Sequence, residues 1–254
     1  MNDLGYTTSI LSWQIILSSI NMLKNFKSKT REIDLNLDSI SCCILNTTVI
    51  EAFSNEISSL THAFIENYEI EKLAKYKIAQ IGVDISTCKE IEKIRNSDKE
   101  SFYERYKGLL KHFNISDSRI LDNLCKLRDV RNDCVHFRQC DMTIMEIDNT
   151  IKLYQKPLEI FNHIKSIKVN GWPIIASDSG SSSPWHLRIS TNAFAIWSII
   201  VVLDAIIYFL DKIPQGTYRD FIVKYYQKSK ESNVFEYSKY EIKELQKSIF
   251  NVKD

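Results

Sequence analysis

Arg131, Asn132 and His136 stand within six residues of one another, and Arg128 and Arg138 flank them. Together they supply a permanent cation, an amide that both donates and accepts, and a ring that exchanges protons near neutral pH. A guanidinium presents a fixed fork of donors matched to phosphate. Such a set suits phosphoryl transfer or RNA cleavage run without a metal ion.

The spacing of the surrounding residues predicts a helix and raises a question. At about 100° per residue, Ile120, Leu124, Leu127, Cys134 and Val135 fall within roughly 60° of a single line. Arg131 falls in the middle of that stripe. An arginine cannot neutralise itself inside a protein, and an unpaired charge in a core is strongly destabilising. The expectation is therefore a cleft or subunit interface in which Arg131 meets an anion. Arg128, Asn132 and His136 are four apart and form a second row beside the first. Arg131 and His136 lie about 140° apart around the helix, placed to contact opposite sides of one substrate.

Arg, a polar residue directly after it, and His a few positions on, late in a helical chain, resemble the motif of HEPN-domain proteins. Here it reads Arg131-Asn132-Asp-Cys-Val-His136. An apolar helical stretch with internal glutamates lies upstream (Ile44 to Phe64), and a further apolar helix lies downstream (Ala193 to Leu210). The resemblance covers about residues 37–212 and implies a four-to-five-helix HEPN-like core. Additional N- and C-terminal helices (1–36 and 213–254) would complete one all-α domain over 1–254.

The activity it implies is a metal-independent endoribonuclease without a cofactor. The ribose 2′-OH would attack the adjacent phosphate. His136 would carry protons, Arg131 would stabilise charge on the phosphate, and Asn132 would orient the substrate or the imidazole. Arg128 and Arg138 are the expected substrate-binding cations. The resemblance further implies a homodimer with a composite site, RNA as substrate, and an antitoxin or phage-defence protein as partner. One branch of the family carries a Tyr two residues after the His as the target of a partner nucleotidyltransferase. This chain has Arg138 there, a departure from that branch's control by adenylylation. The alternative reading is a catalytically silent HEPN-like module that dimerises or docks a protein or nucleotide.

Composition bounds the remaining choices. Six Gly and four Pro in 254 residues favour long helices over a turn-rich β fold. Net charge is +1, so no global field draws the chain onto nucleic acid. Locally, Glu104 to Arg138 holds eight Lys/Arg against five Asp/Glu. The six cysteines include no CxxC pair, and Cys42, Cys125 and Cys134 sit at apolar helical positions, as expected of reduced cytosolic thiols. Cys134-x-His136-x3-Cys140 lacks a fourth ligand at zinc spacing, so no metal site is expected. The N-terminal residues lack a basic segment and a small-residue cleavage site, and a cytoplasmic location is expected. Ala193 to Leu210 is long enough to span a bilayer, but Asp204 interrupts it. The expectation is a core helix and no membrane.

Periodicity places the elements that must position the motif. Helices are expected over Ser9–Phe26, Ser39–Leu73, Lys99–Phe113, Thr143–Ile167, Thr217–Lys230 and Val234–Val252, besides the motif helix and the apolar one. Asp38 or Ser39, Ser116 or Asp117, and Ser190 or Thr191 are the expected caps. Ala74–Ser97 reads as a short helix and a loop with a break at Gly82, and Pro157 as a kink or an interruption. Ser177 to Pro184 reads as a mobile surface loop. Glu51 and Glu56 lie mid-way along the second helix. Each is either a solvated polar residue or a carboxylate that pairs with Arg131 and holds it in position.

Overall fold

The structure is a computed structural model that describes residues 10–25, 38–69, 79–94, 101–135, 142–147, 150–155, 159–176, 188–229 and 232–250. It is a helical bundle of the all-α class, with little strand. In chain order the elements are α1 (Leu11–Asn25), α2 (Asp38–Asn67), α3 (Ile85–Lys93), α4 (Phe102–His112) and α5 (Ser118–Val135). Then come β1 (Met142–Ile147), β2 (Thr150–Gln155), α6 (Glu159–Ile164), β3 (Lys168–Val169) and β4 (Trp172–Pro173). The chain closes with α7 (Asn192–Lys212), α8 (Thr217–Tyr225) and α9 (Val234–Phe250).

The helices start where side chains relieve unpaired N–H groups. Asp84 caps α3 by accepting from Thr87 N at 2.7 Å. Ser101 caps α4 through Glu104 N, and Thr191 caps α7 through Phe194 N at 3.0 Å. Asp117 caps α5, its Oδ1 accepting from Arg119 N and Ile120 N. Ser39 has a different role from the expected cap: its Oγ donates to Ile189 O at 2.9 Å, tying the start of α2 to the start of α7.

α7 is the centre, and α1, α2, α5, α8 and α9 pack on it. By length and composition it is able to cross a membrane. In this fold its apolar surface faces other helices, and fifteen of its residues are buried. Asp204, the break in that apolar run, pairs with Lys239 of α9 at 2.5 Å. The long α2 lies beside α7, and Asn46 Nδ2 donates to Ser198 Oγ at 2.7 Å across the buried contact. α1 runs antiparallel to α2, since Ser12 meets Glu56 and Ser19 O meets Cys42. Phe53 of α2 is fully buried and touches the rings of Phe209, Tyr226 and Phe235, from α7, the end of α8, and α9. Burying such a ring favours the folded state by about 2–3 kcal/mol.

Two glycines let the loop before α3 meet the loop before α8. Gly82 (φ +82°) and Gly216 (φ +146°) lie backbone against backbone. A Cβ on Gly82 would strike Gln215 O, and one on Gly216 would lie 2.5 Å from Ile81 O.

Thr143–Ile167 is not the continuous helix that its spacing predicts. β1 and β2 form an antiparallel hairpin, with Ile144 opposite Leu153 and Ile147 opposite Thr150. Among the described residues of this stretch only Glu159–Ile164 is helical. Ile144, Ile147, Ile151 and Tyr154 satisfy a helical period, but the stretch is rich in β-branched residues, and Asp-Asn is a residue pair that favours turns over helix. Pro157 and Ser177 to Pro184 lie outside the described residues.

Candidate functional site

The motif helix α5 packs against α2 and α7 and buries Ile120, Leu124, Leu127 and Val130. The apolar stripe therefore exists, but its burial ends before the helix does. Cys134 is half-buried and Val135 is 44% exposed. Arg131 lies in line with Ile120, Leu124 and Leu127, one turn beyond Leu127, and is itself half-buried. Its position along the axis, rather than around it, lets the guanidinium reach solvent.

The Arg131 guanidinium donates from Nη1 to Asn132 Oδ1 at 3.2 Å. Among the described residues it has no carboxylate partner. It faces the α2 side closely enough to influence a buried thiol there. Burial pushes the Cys43 thiol well up, Cys134 and Cys42 push it further, and the Arg131 cation pulls it back. Arg131 and Asn132 thus sit together at the partly exposed end of α5. His136 and Arg138 lie outside the described residues.

Arg128 is more heavily engaged. Its Nε donates to Asp129 Oδ1 at 2.8 Å and its Nη2 to Cys125 Sγ at 3.1 Å. The guanidinium also lies over the Tyr103 ring, 4.9 Å from the centroid. A phosphate at Arg128 would compete with the Asp129 carboxylate, so Arg128 is the less available of the two cations.

The two glutamates do not pair with Arg131. Glu51 meets Arg105 of α4 at 3.4 Å. Arg105 is the buried cation of this region, 6% exposed, and also donates to Asn55 Oδ1 at 3.3 Å. Glu51 is an exposed residue, as the solvated reading expects, whereas Glu56 is half-buried and internally bonded. Its carboxylate accepts from Ser12 N at 2.9 Å, Ser12 Oγ at 2.6 Å and Tyr226 OH at 2.9 Å. Burial raises its pKa, and the bonds from Ser12 and Tyr226 only partly offset that. Periodicity places both glutamates on α2, but the partners come from residues distant in sequence, which no local pattern reveals.

The cysteines behave as buried thiols. Burial pushes Cys42 and Cys134 up to about 12 and Cys88 up to about 11. Among the described residues no group of three or more His, Cys, Asp or Glu is placed to hold a metal ion. No family model matches the chain, and no curated protein or solved structure does either.

Proposed function

We propose that the chain is a HEPN-type endoribonuclease that cleaves RNA by attack of a ribose 2′-OH on the neighbouring phosphate, without a metal ion. His136 removes the hydroxyl proton or protonates the departing 5′-oxygen, and Arg131 neutralises the charge that builds on the phosphate. Asn132 accepts from Arg131 and so sets the plane of the guanidinium. The P–O5′ bond breaks as the P–O2′ bond forms, leaving a 2′,3′-cyclic phosphate and a free 5′-hydroxyl.

The observation that supports this reading is the state of Arg131. A guanidinium committed to fold stability is expected to be buried and met by a carboxylate, as Arg105 is by Glu51. Among the described residues Arg131 instead bonds only to the adjacent amide, half-exposed, beside the exposed Val135. An apolar side chain and a cation at one exposed helix end suit a second subunit that carries the same pair, so the proposal includes a homodimer. A toxin–antitoxin or phage-defence setting, with a protein partner that restrains the activity, follows from the same family reading.

The test is cleavage of single-stranded RNA by purified protein in EDTA. The expected products carry cyclic phosphate ends, and cleavage is expected to vanish in Arg131→Ala and in His136→Ala. Equal cleavage by both variants would reject the site. A folded, dimeric wild-type protein that cuts no RNA would identify a silent binding module.

A further inference from the structure

Lys168, Lys239 and Lys243 converge on one cavity of about 350 Å3, formed where β3 and its turn meet α7 and α9. Its volume is in the range of small-molecule sites, about 300–1,000 Å3. Among the described residues no carboxylate lines it. Lys239 is already matched by Asp204. Lys168 and Lys243 are exposed and have no ion pair among the described residues. Two uncompensated ammonium groups at one opening make the site attractive to an anion.

The interior of the cavity is apolar. Val169, Trp197 and Ile242 form part of its lining, and each is buried, from 1% to 7% exposed. One lining residue does not fit that surface. Gln246 is 8% exposed, and its amide has no hydrogen-bond partner among the described residues. A group entering this cavity is placed to supply one.

The wall on the β3 side is held firmly. Asn170 (φ +49°) and Gly171 (φ +83°) make the tight two-residue turn between β3 and β4. Trp172 then stacks on Phe250 at the end of α9, with ring centroids 5.8 Å apart and planes 20° apart. The turn that carries Lys168 is thereby fixed to the helix that carries Lys243 and Gln246.

We propose that this cavity binds a small amphipathic anion. A carboxylate or phosphate head is held by Lys168, Lys243 and the Gln246 amide, and a short apolar tail lies on Val169, Trp197 and Ile242. The site is separate from Arg131, and it stands or falls independently of the nuclease reading.

Titration calorimetry on the full chain tests this with octanoate, octyl phosphate, octylamine and inorganic phosphate. The expected result is saturable binding of an octyl anion, with octylamine and inorganic phosphate at least about tenfold weaker. Tighter binding of octanoate assigns a carboxylate head, and tighter binding of octyl phosphate a phosphate head. The double variant Lys168→Glu/Lys243→Glu, its circular dichroism unchanged, is expected to weaken the anion about tenfold or more. Gln246→Leu keeps the volume, loses the amide, and is expected to weaken it about threefold or more. No binding of either octyl anion, equal binding of octylamine or inorganic phosphate, or unchanged affinity in either variant overturns the proposal.

Discussion

The Glu56 carboxylate grips the first turn of α1 through Ser12, taking its backbone N–H at 2.9 Å and its hydroxyl at 2.6 Å. A residue of α2 therefore does for α1 what a local cap does for other helices. The same carboxylate takes the Tyr226 hydroxyl at 2.9 Å, so one side chain joins α1, α2 and the end of α8. The positive end of the α1 dipole favours the ionised form, but burial outweighs it and raises the pKa.

Glu56→Ala is expected to lower stability by about 3 kcal/mol, because it strands the Tyr226 hydroxyl in the core and unties α1. Urea unfolding measures the loss. The pH dependence follows from the sign of the shift. A carboxyl whose folded pKa is raised contributes stability that is fully present below its unfolded value near 4.5 and is lost as pH rises through the folded value. Wild type is therefore expected to lose part of its stability as pH climbs above 4.5, and Glu56→Gln to remove that part of the slope.

Arg131 and Arg105 are expected to separate function from stability. Arg131→Ala should unfold within about 0.5 kcal/mol of wild type, since it removes one half-exposed side chain. Arg105→Ala should cost about 2–3 kcal/mol, since it removes a buried side chain and its contacts to Glu51 and Asn55. Only Arg131→Ala is expected to abolish RNA cleavage while leaving the melting temperature in place.

Gly82→Ala and Gly216→Ala are each expected to destabilise by about 2–4 kcal/mol, because both combine positive φ with a backbone clash. Gly171→Ala has positive φ but open space around it, and about 1 kcal/mol is expected. Thermal unfolding of the three variants checks the ranking. Equal losses would show that conformation alone, without the contact of the two loops, sets the cost.

Thiol labelling at pH 8 reads burial directly. Cys42, Cys43, Cys88 and Cys134 have thiol pKa values pushed up by burial, and the first three are fully buried. Cys125 is the more accessible of the described cysteines and is expected to react first. Fast labelling of Cys43 in folded protein would contradict the packing of α5 on α2.

Much of the helical frame was legible because burial and period coincide. α1, α4, α8 and α9 lie within the stretches that their apolar spacing predicts, and α2 and α7 overlap theirs; Asp117 and Thr191 cap as expected. The β1–β2 hairpin was not, because four apolar residues satisfied a helical period that the Asp148-Asn149 pair should have interrupted. For Arg131, angular position was readable and axial position was not. A helical projection shows which line a residue shares, but not where the core stops along it. Glu56 marks a further limit, since its partners lie 44 and 170 positions away.

The central place of α7 bears on how the chain is made. A ribosome delivers α1 to α5 long before it delivers Asn192–Lys212. Until then, α1, α3, α4 and α5 can close only on α2, which carries Phe53 toward a partner not yet synthesised. Folding is expected to finish only after release of nearly the whole polypeptide, with greasy helix faces open to chaperones during translation. Truncation upstream of Thr191 should yield an aggregating fragment rather than a smaller working domain.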